Sequence, residues 1–388
     1  MPERGNVFLR FLDRILGIPL VFFVSLFHRS RARPGVFRRI ALLKTAAIGD
    51  TVLISAVVRD IRERLPTAEI HFFVGENNRE AAELLSGINR VIPLPVKNPL
   101  RAVPLIRRMN EYDLLLDFGQ WPRLDALLSW SARARWKVGF KTEGQFRHGV
   151  YDVAVTHSRD IHEFHNYKNL LEPIDLKGSH LPHISIEENP GKKSVIVVHM
   201  FAGGYKACLK EWPEERWIAL INSLTATGKQ ITLTGHRDRA NEARHLWERI
   251  KDKDKVRVAA GELDLRAMAR LLKSSELVIS VNTGIVHLAA ALGCRIVTLH
   301  GPTSAKRWGP FDNNGLSLQS PLKCSPCLNL GFDYGCPRND CMKAISVESV
   351  LSLTEETRGP LPGGSGYINV EAGTKPPPSG QIPQLPRP

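Results

Sequence analysis

Three short stretches of this chain combine residue types that can move a proton or hold an anion. The first is KTAAIGDTVLISAVVRDI, residues 44–61, where Gly49-Asp50 closes a small-residue turn after the apolar run IALL. A turn of this kind lets a ligand approach backbone and can hold one carboxylate at the mouth of a sheet. Asp50 is there either as a proton acceptor or as a helix cap. The second, HMFAGGYKACLKEWPEERW, places Gly203, Gly204, Lys206 and Lys210 ahead of Trp212-Pro213. Two glycines and two lysines before a helix suit a diphosphate, or else form a solvated loop. The third is ELVISVNTGIVHLAAALG, in which Asn282, Thr283 and Gly284 open a helix. Free N–H groups and the positive dipole end make that start a place for a phosphate, with His287 one turn later. Read alone, Asn282 is equally an N-cap and His287 a structural histidine. HGPTSAKRWGP then adds Lys306 and Arg307 near the same sheet edge.

Other chemistry is excluded or left open. The first strand is followed by no G-x-G-x-x-G, and neither G-x-x-x-x-G-K-[ST], H-E-x-x-H nor G-x-S-x-G occurs, so the phosphate and catalytic fingerprints of those enzyme classes are missing. Cys324, Cys327, Cys336 and Cys341 form C-x2-C-x8-C-x4-C, a spacing that could hold a structural zinc through four thiolates or stand as reduced thiols.

The elements that must position these groups alternate strand and helix. RIALLK, AEIHFFV, RVIPLP and YDLLLDF read as strands, with DTVLISAVVRDIRERLP, NREAAELLSG, LRAVPLIRRMNE and RLDALLSWSARA as the helices between and after them. After the polar stretch IEENPGKK the alternation restarts with SVIVVHM and continues through QITLTG, KVRVAA, ELVISVN and RIVTLHG. The pattern predicts an α/β fold of two Rossmann-like parallel sheets facing across a cleft, residues 37–188 and 189–357. Ligands in such sheets bind beyond the carboxyl ends of the strands.

The ends differ in character. The chain has 388 residues and a formal charge of +14, a balance that calls for an anionic partner. Residues 1–40 hold eight Arg against Glu3 and Asp13, yet no zinc-finger, RNP or basic-zipper pattern accompanies them, so no nucleic-acid partner is expected. The run from Ile15 to Phe27 is 13 residues, short of the ~20 needed to span a bilayer. Residues 6–28, within a basic and hydrophobic segment 1–36, therefore read as a helix lying in or dipping into one leaflet of a membrane, with docking onto the protein as the alternative. Residues 358–388 form a tail rich in Pro and Gly that reads as disordered.

Four of these stretches, IALLKTAAIGDTVLISAVVRDIRERLPTAEIHF, KEWPEERW, ELVISVNTGIVHLAAALG and LHGPTSAKRWGP, together resemble the ADP-heptose:lipopolysaccharide heptosyltransferases of glycosyltransferase family 9, in order over roughly residues 38–350. The resemblance implies a GT-B fold and an inverting, metal-independent transfer of a sugar from a nucleotide diphosphate to a lipid-linked glycan acceptor, with no cofactor required. It implies that Asp50 is the catalytic base, carried with Gly49 on the acceptor side. It implies donor contacts at Lys210, Thr283, Gly284 and His287, to which the residue types themselves add Gly203, Gly204 and Asn282, and adenine lined by backbone from Gly261 to Leu263. Where the family has Asp-Thr-Gly, this chain has Asn282-Thr283-Gly284. Arg123 and Lys137 are candidate acceptor contacts, or parts of a solvated face. The expected place is the cytoplasmic face of the inner membrane, peripheral or monotopic. Two alternatives are a transferase for another surface glycan using a different nucleotide sugar, and an inactive membrane-bound scaffold.

Overall fold

The computed structural model describes residues 7–187, 195–311, 315–356 and 367–368. The first lobe is a six-stranded, all-parallel sheet in the order β3-β2-β1-β4-β5-β6. Its strands are β1 (Arg39–Lys44), β2 (Glu69–Gly75), β3 (Arg90–Leu94), β4 (Tyr112–Asp117), β5 (Ala134–Lys141) and β6 (Val153–Thr156). Its helices are α1 (Val7–Ile15), α2 (Gly17–Ser25), α3 (Ile48–Leu53), α4 (Ser55–Arg64), α5 (Arg79–Glu83), α6 (Pro99–Arg108), α7 (Arg123–Ser131) and α8 (Glu163–Asn169). Ile40, Leu42, Leu43, Phe72, Phe73, Leu114, Leu115 and Leu116 are all fully buried, as strands covered by helices on both faces require. Pro93 costs little in β3 because β3 is the sheet edge, where a missing N–H breaks no ladder.

The second lobe repeats the plan with the order β13-β12-β11-β10-β7-β8-β9, again all parallel. Its strands are β7 (Val195–His199), β8 (Gln230–Thr234), β9 (Val256–Val258), β10 (Leu277–Val281), β11 (Ile296–His300), β12 (Gly315–Gln319) and β13 (Tyr367–Ile368). The helices are α9 (Glu214–Ala226), α10 (Ala240–Glu248), α11 (Leu265–Lys273), α12 (Gly284–Ala291), α13 (Ala305–Trp308), α14 (Asp340–Lys343) and α15 (Val347–Glu356).

Some expectations shift. The helix read after the first strand is two, α3 and α4, meeting at Ile54. The N-terminal segment is also two nine-residue helices, α1 and α2, joined at Leu16. Pro19 falls in the first turn of α2, where a backbone donor is not needed. The tail is not wholly without structure: β13 pairs with β12 through Ser317–Tyr367 and Leu318–Ile368. Most of the IEENPGKK linker and the remainder of the tail lie outside the described residues.

The lobes are not separate cores. One apolar cluster runs from Leu42, Val57 and Val58 through Ile184 to Leu272, Ile285 and Leu288, and Ile184 N–H donates to the Ala291 carbonyl at 2.9 Å. Burial has also trapped imidazoles along the lobe junction and the strand ends. Desolvation, with smaller contributions from neighbouring histidines, pushes His162 and His300 down to about 3, and desolvation pushes His199 and His287 down to about 4. Asp125 is shifted the other way, upward, by burial and then by the Asp117 charge.

These shifts set a direction for acid stability. An imidazole with a depressed folded value takes up its proton only on unfolding. Its contribution is intact above about 6.5 and is lost as pH falls toward 4. Asp125, held protonated in the fold, opposes this with one proton released. Unfolding at pH 5 should therefore take up about three protons per molecule from these groups. Urea titrations should give a lower stability at pH 5 than at pH 7, and a flat or rising stability across that interval would refute the assignment.

Candidate functional site

The turn between β1 and α3 is held from behind. Asn78 Oδ1 accepts from Gly75 N–H at 2.9 Å, while its Nδ2 donates to the Lys44 carbonyl at 2.9 Å and to Thr51 Oγ1 at 2.8 Å. Gly75 cannot be anything larger, since a Cβ there would lie 2.1 Å from the Thr45 carbonyl oxygen. Ala47, just before α3, sits at φ 78°, a conformation that costs a non-glycine residue about 1 kcal/mol or more and that the surrounding contacts enforce. The result is that Asp50 lies in the first turn of α3, 2 % exposed, with Oδ2 3.1 Å from Lys44 Nζ. Lys44 also donates to the Phe118 carbonyl at 3.0 Å and to Gln120 Oε1 at 2.6 Å.

From the other lobe, α12 points its first turn at this carboxylate's helix. A Cβ on Gly49 would lie 2.6 Å from His287 Cδ2 and 3.0 Å from Gly284 Cα, and a Cβ on Gly284 would lie 2.9 Å from Gly49 N. The two helix starts thus touch backbone to backbone. His287 is buried, and its Nδ1 has no hydrogen-bond partner. Thr283 is the N-cap in extended conformation, and its side chain makes no capping bond. Asn282 is not the cap: its Nδ2 donates to the Trp308 carbonyl at 3.1 Å.

The glycine-lysine loop stands beside β7. Lys210 Nζ donates to the Gly203 carbonyl at 2.5 Å, and Gly204 adopts φ 92°. The loop is buttressed by the cysteine-rich segment: Tyr334 OH donates to the Tyr205 carbonyl at 2.9 Å, and Asn339 Nδ2 donates to the carbonyls of Cys208 and Glu211 at 2.9 and 3.0 Å. Gly261, at φ 82°, follows β9, and the half-buried Leu263 packs on the shared apolar cluster.

The structure therefore brings Gly49 and Asp50 against Gly284 and His287, with Asn282 and Thr283 on the same helix start, and gathers Lys210, Gly203 and Gly204 in one loop. Arg123 and Lys137 are spent elsewhere. Arg123 binds Asp13 of α1 at 3.1 Å and the Gln145 carbonyl at 3.0 Å. Lys137 Nζ donates to the Trp130 carbonyl at 2.7 Å, and burial first, then Arg31, pushes it down to about 8. All six thiols are free, and among the described residues no three sulfurs lie within 4.8 Å of one another, although Cys327 and Cys336 are within hydrogen-bond reach and Cys324 and Cys341 stand near them. The group that does meet that distance is Asp60, Glu63 and His180, and Lys168 already pairs with Asp60 at 3.3 Å. An open cavity of about 600 Å³ lined by Arg64, Glu172, Asp175, Leu176 and Lys177 holds none of the candidate residues.

Sequence reasoning missed Lys44, Gln120, Glu163 and Arg307 as members of one polar chain. Gln120 follows the end of β4, a position the strand-end rule points to. Glu163 carries no local signal, because its partners outside α8 come from three separate places, Gln120 after β4, His157 after β6 and Arg307 of α13.

The structure resembles known transferases in overall path. It superposes on E. coli heptosyltransferase WaaC with ADP at a TM-score of 0.67, 19% identical, covering 82% of this chain and 99% of that one. A glycosyltransferase family 9 protein from Veillonella parvula gives a TM-score of 0.67, 19% identical, covering 85% and 99%. Both share the two-sheet, GT-B-like fold. In sequence, lipopolysaccharide heptosyltransferase 1 of Pseudomonas aeruginosa is 24% identical over 334 residues, 76% of this chain and 88% of the relative. The description of glycosyltransferase family 9 (heptosyltransferase) matches residues 106–336, more than half of the chain. A carboxylate turn on one sheet facing a helix start on the other, along a length that matches in sequence and in fold, places this chain in glycosyltransferase family 9, and the protein is a glycosyltransferase.

Proposed function

We propose that the protein transfers a heptose from ADP-heptose to a lipopolysaccharide core-type acceptor, with inversion and without a metal. The observation that carries this reading is the meeting of the Gly49-Asp50 turn with the Gly284–His287 helix start. A sugar hydroxyl is a weak nucleophile, so a placed carboxylate must take its proton as the new bond forms. Asp50 has that role: the acceptor oxygen bonds to the anomeric carbon, the carbon–phosphate oxygen bond breaks, the proton passes to Asp50 and ADP departs. One displacement inverts the centre. Charge on the leaving diphosphate falls to Lys210 and to the free N–H groups of α12, which do the work a cation would otherwise do. Backbone from Gly261 to Leu263 lines the adenine. Because Asp50 is 2 % exposed here, substrates enter only when the α3–α12 contact parts, and its return excludes the water that would hydrolyse the donor.

The same reading places the enzyme on the cytoplasmic face of the inner membrane. Among the described residues no helix is long and apolar enough to cross a membrane. Yet Phe11, Ile15, Leu16, Phe22, Phe23, Leu26 and Phe27 of the α1–α2 segment are exposed, while Val21 packs inward on Ala126, Val150 and Tyr151. Exposed Arg14 and Arg29 flank this apolar face, an arrangement suited to the interface of an anionic leaflet.

Two measurements test these readings. Asp50→Asn, nearly the same in shape, should lower the rate of heptose transfer in EDTA-containing buffer by about a hundredfold or more and leave ADP affinity within about twofold. An unchanged rate would remove Asp50 as the base, and turnover of a GDP- or UDP-sugar alone would remove ADP-heptose as the donor. In flotation with vesicles containing phosphatidylglycerol, wild type should rise with the lipid and Phe22→Ser/Phe23→Ser/Phe27→Ser should remain behind. Equal flotation of the two, or of neither, would refute the membrane face.

A further inference from the structure

A continuous polar chain joins the lobes beneath the site. Glu163, at the start of α8 in the first lobe, is fully buried. Its Oε2 accepts from Arg307 Nε and Nη2 of α13 in the second lobe, at 3.0 and 2.9 Å. Its Oε1 lies 2.7 Å from His157 Nε2 and accepts from Gln120 Nε2 at 2.9 Å. Gln120 Oε1 in turn accepts from Lys44, which pairs with Asp50. Asn166 and Tyr167 complete the surround: Asn166 Nδ2 is 3.5 Å from Glu163, and Gln120 Nε2 donates to Tyr167 OH at 2.5 Å.

The polarity of this chain is fixed. Glu163 is acceptor-only when ionised, although burial alone would favour its neutral form. His157 and Arg307 hold it well below the ordinary carboxylate range. Lys44 is donor-only. A glutamine between a carboxylate and an ammonium can satisfy both in one orientation alone, amide nitrogen to the first and carbonyl oxygen to the second. Gln120 is therefore locked, and it presents an oxygen that holds Lys44 in place beside Asp50. If Arg307 withdraws as the lobes part, Glu163 loses its bidentate cation while still buried, which is strongly unfavourable. Along the chain the next cation after Gln120 is Lys44, and any shift of Gln120 or Lys44 toward Glu163 would draw Lys44 from Asp50.

We infer that Arg307 and Glu163 are positioning residues that, through Gln120 and Lys44, align the Asp50 carboxylate only when the lobes are together. This rests on the reading of Asp50 as the base. Closure then does more than exclude water: it sets the geometry of the proton acceptor, so a donor bound to an open enzyme meets a misaligned base.

The test is a double-mutant cycle on Arg307→Lys, which keeps the charge but loses the fork, and Gln120→Leu, which cuts the chain while sparing the Glu163–Arg307 pair. Rates are measured well below each variant's melting temperature. Each single variant should lower kcat by about tenfold or more, with donor KM within about threefold. The double variant should fall no more than about threefold below the worse single, since both interrupt one path. Multiplied losses near a hundredfold, or an effect of Arg307→Lys on KM alone, would overturn the inference. Hydrogen exchange gives a second readout independent of the donor. Amides of residues 48–53 should exchange faster in Arg307→Lys, with those of β10 unchanged, and no change at 48–53 would overturn the coupling. If wild type transfers nothing from ADP-heptose, the proposed function fails, and the exchange measurement still decides this inference.

Discussion

Two glycines set the distance between the lobes. Gly49 and Gly284 lie where each would need its Cβ inside the other's helix start or inside the His287 ring. Only without those side chains can the α3 and α12 backbones meet, and only then is a carboxylate from one sheet presented to free N–H groups from the other. Everything else at the site is arranged around that approach. Asn78 fixes the β1–α3 turn, Ala47 accepts a left-handed backbone to make it, and Asn282 ties the start of α12 to the carbonyl of Trp308. Single methyl groups at either glycine would open the contact at a place where interiors have no slack.

Such an approach brings charge into low dielectric, and the fold answers it with matched groups. Asp50 has Lys44, and Glu163 has Arg307 and His157. Below Gly119, Asp117 has both Arg147 and Tyr151 at 2.8 and 2.6 Å. Buried pairs of this kind are weak evidence for stability, because desolvation consumes much of the Coulomb gain. Two of them serve geometry at the lobe junction: Lys44 holds Asp50 beside α12, and Glu163 takes Arg307 from the second lobe. The Nδ1 of His287, without a hydrogen-bond partner although the ring packs on His162 and Trp308, fits the same logic, since a ring nitrogen left unbonded is available to a ligand.

Much of this was legible from residue order. Alternating apolar runs and turn residues mark both sheets, and strand-end placement singles out Asp50, Lys210 and the Asn282–His287 turn, because a parallel sheet sends its strand ends to one side. What escaped has a common cause. Arg123 reads as a surface arginine until Asp13, far away in sequence, is found capping its helix. Glu163 and Arg307 look ordinary because their meaning lies in each other, across 144 residues. The short strands β6, β12 and β13, the first and last of them at sheet edges, carry too few apolar residues for periodicity to declare them, and the break at Leu16 falls near the start of the long apolar run.

The N-terminal helix α1 touches both lobes, and magnitudes decide which hold gives way when they part. On the first lobe, Asp13 accepts from Arg123 N, Leu124 N and Arg123 Nη1, a charge-assisted set with both side chains largely buried. On the second, Arg10 lies over the rings of Tyr205 and Phe332 at 4.3 and 4.7 Å. A cation–ring contact contributes about 0.5–2 kcal/mol, whereas separating a buried, hydrogen-bonded pair costs about 3–5 kcal/mol. The helix should therefore travel with the first lobe and leave the second. Tyr205 belongs to the loop that carries Gly203, Gly204 and Lys210, and Phe332 packs against Trp121 at the opposite rim. Parting the lobes then uncovers the glycine-lysine loop and the α3 turn together, while α2 and its exposed phenylalanines stay fixed to the lobe that carries Asp50. On the proposed membrane face, a lipid-linked acceptor anchored in the same leaflet would reach Asp50 while α2 stayed against the lipid.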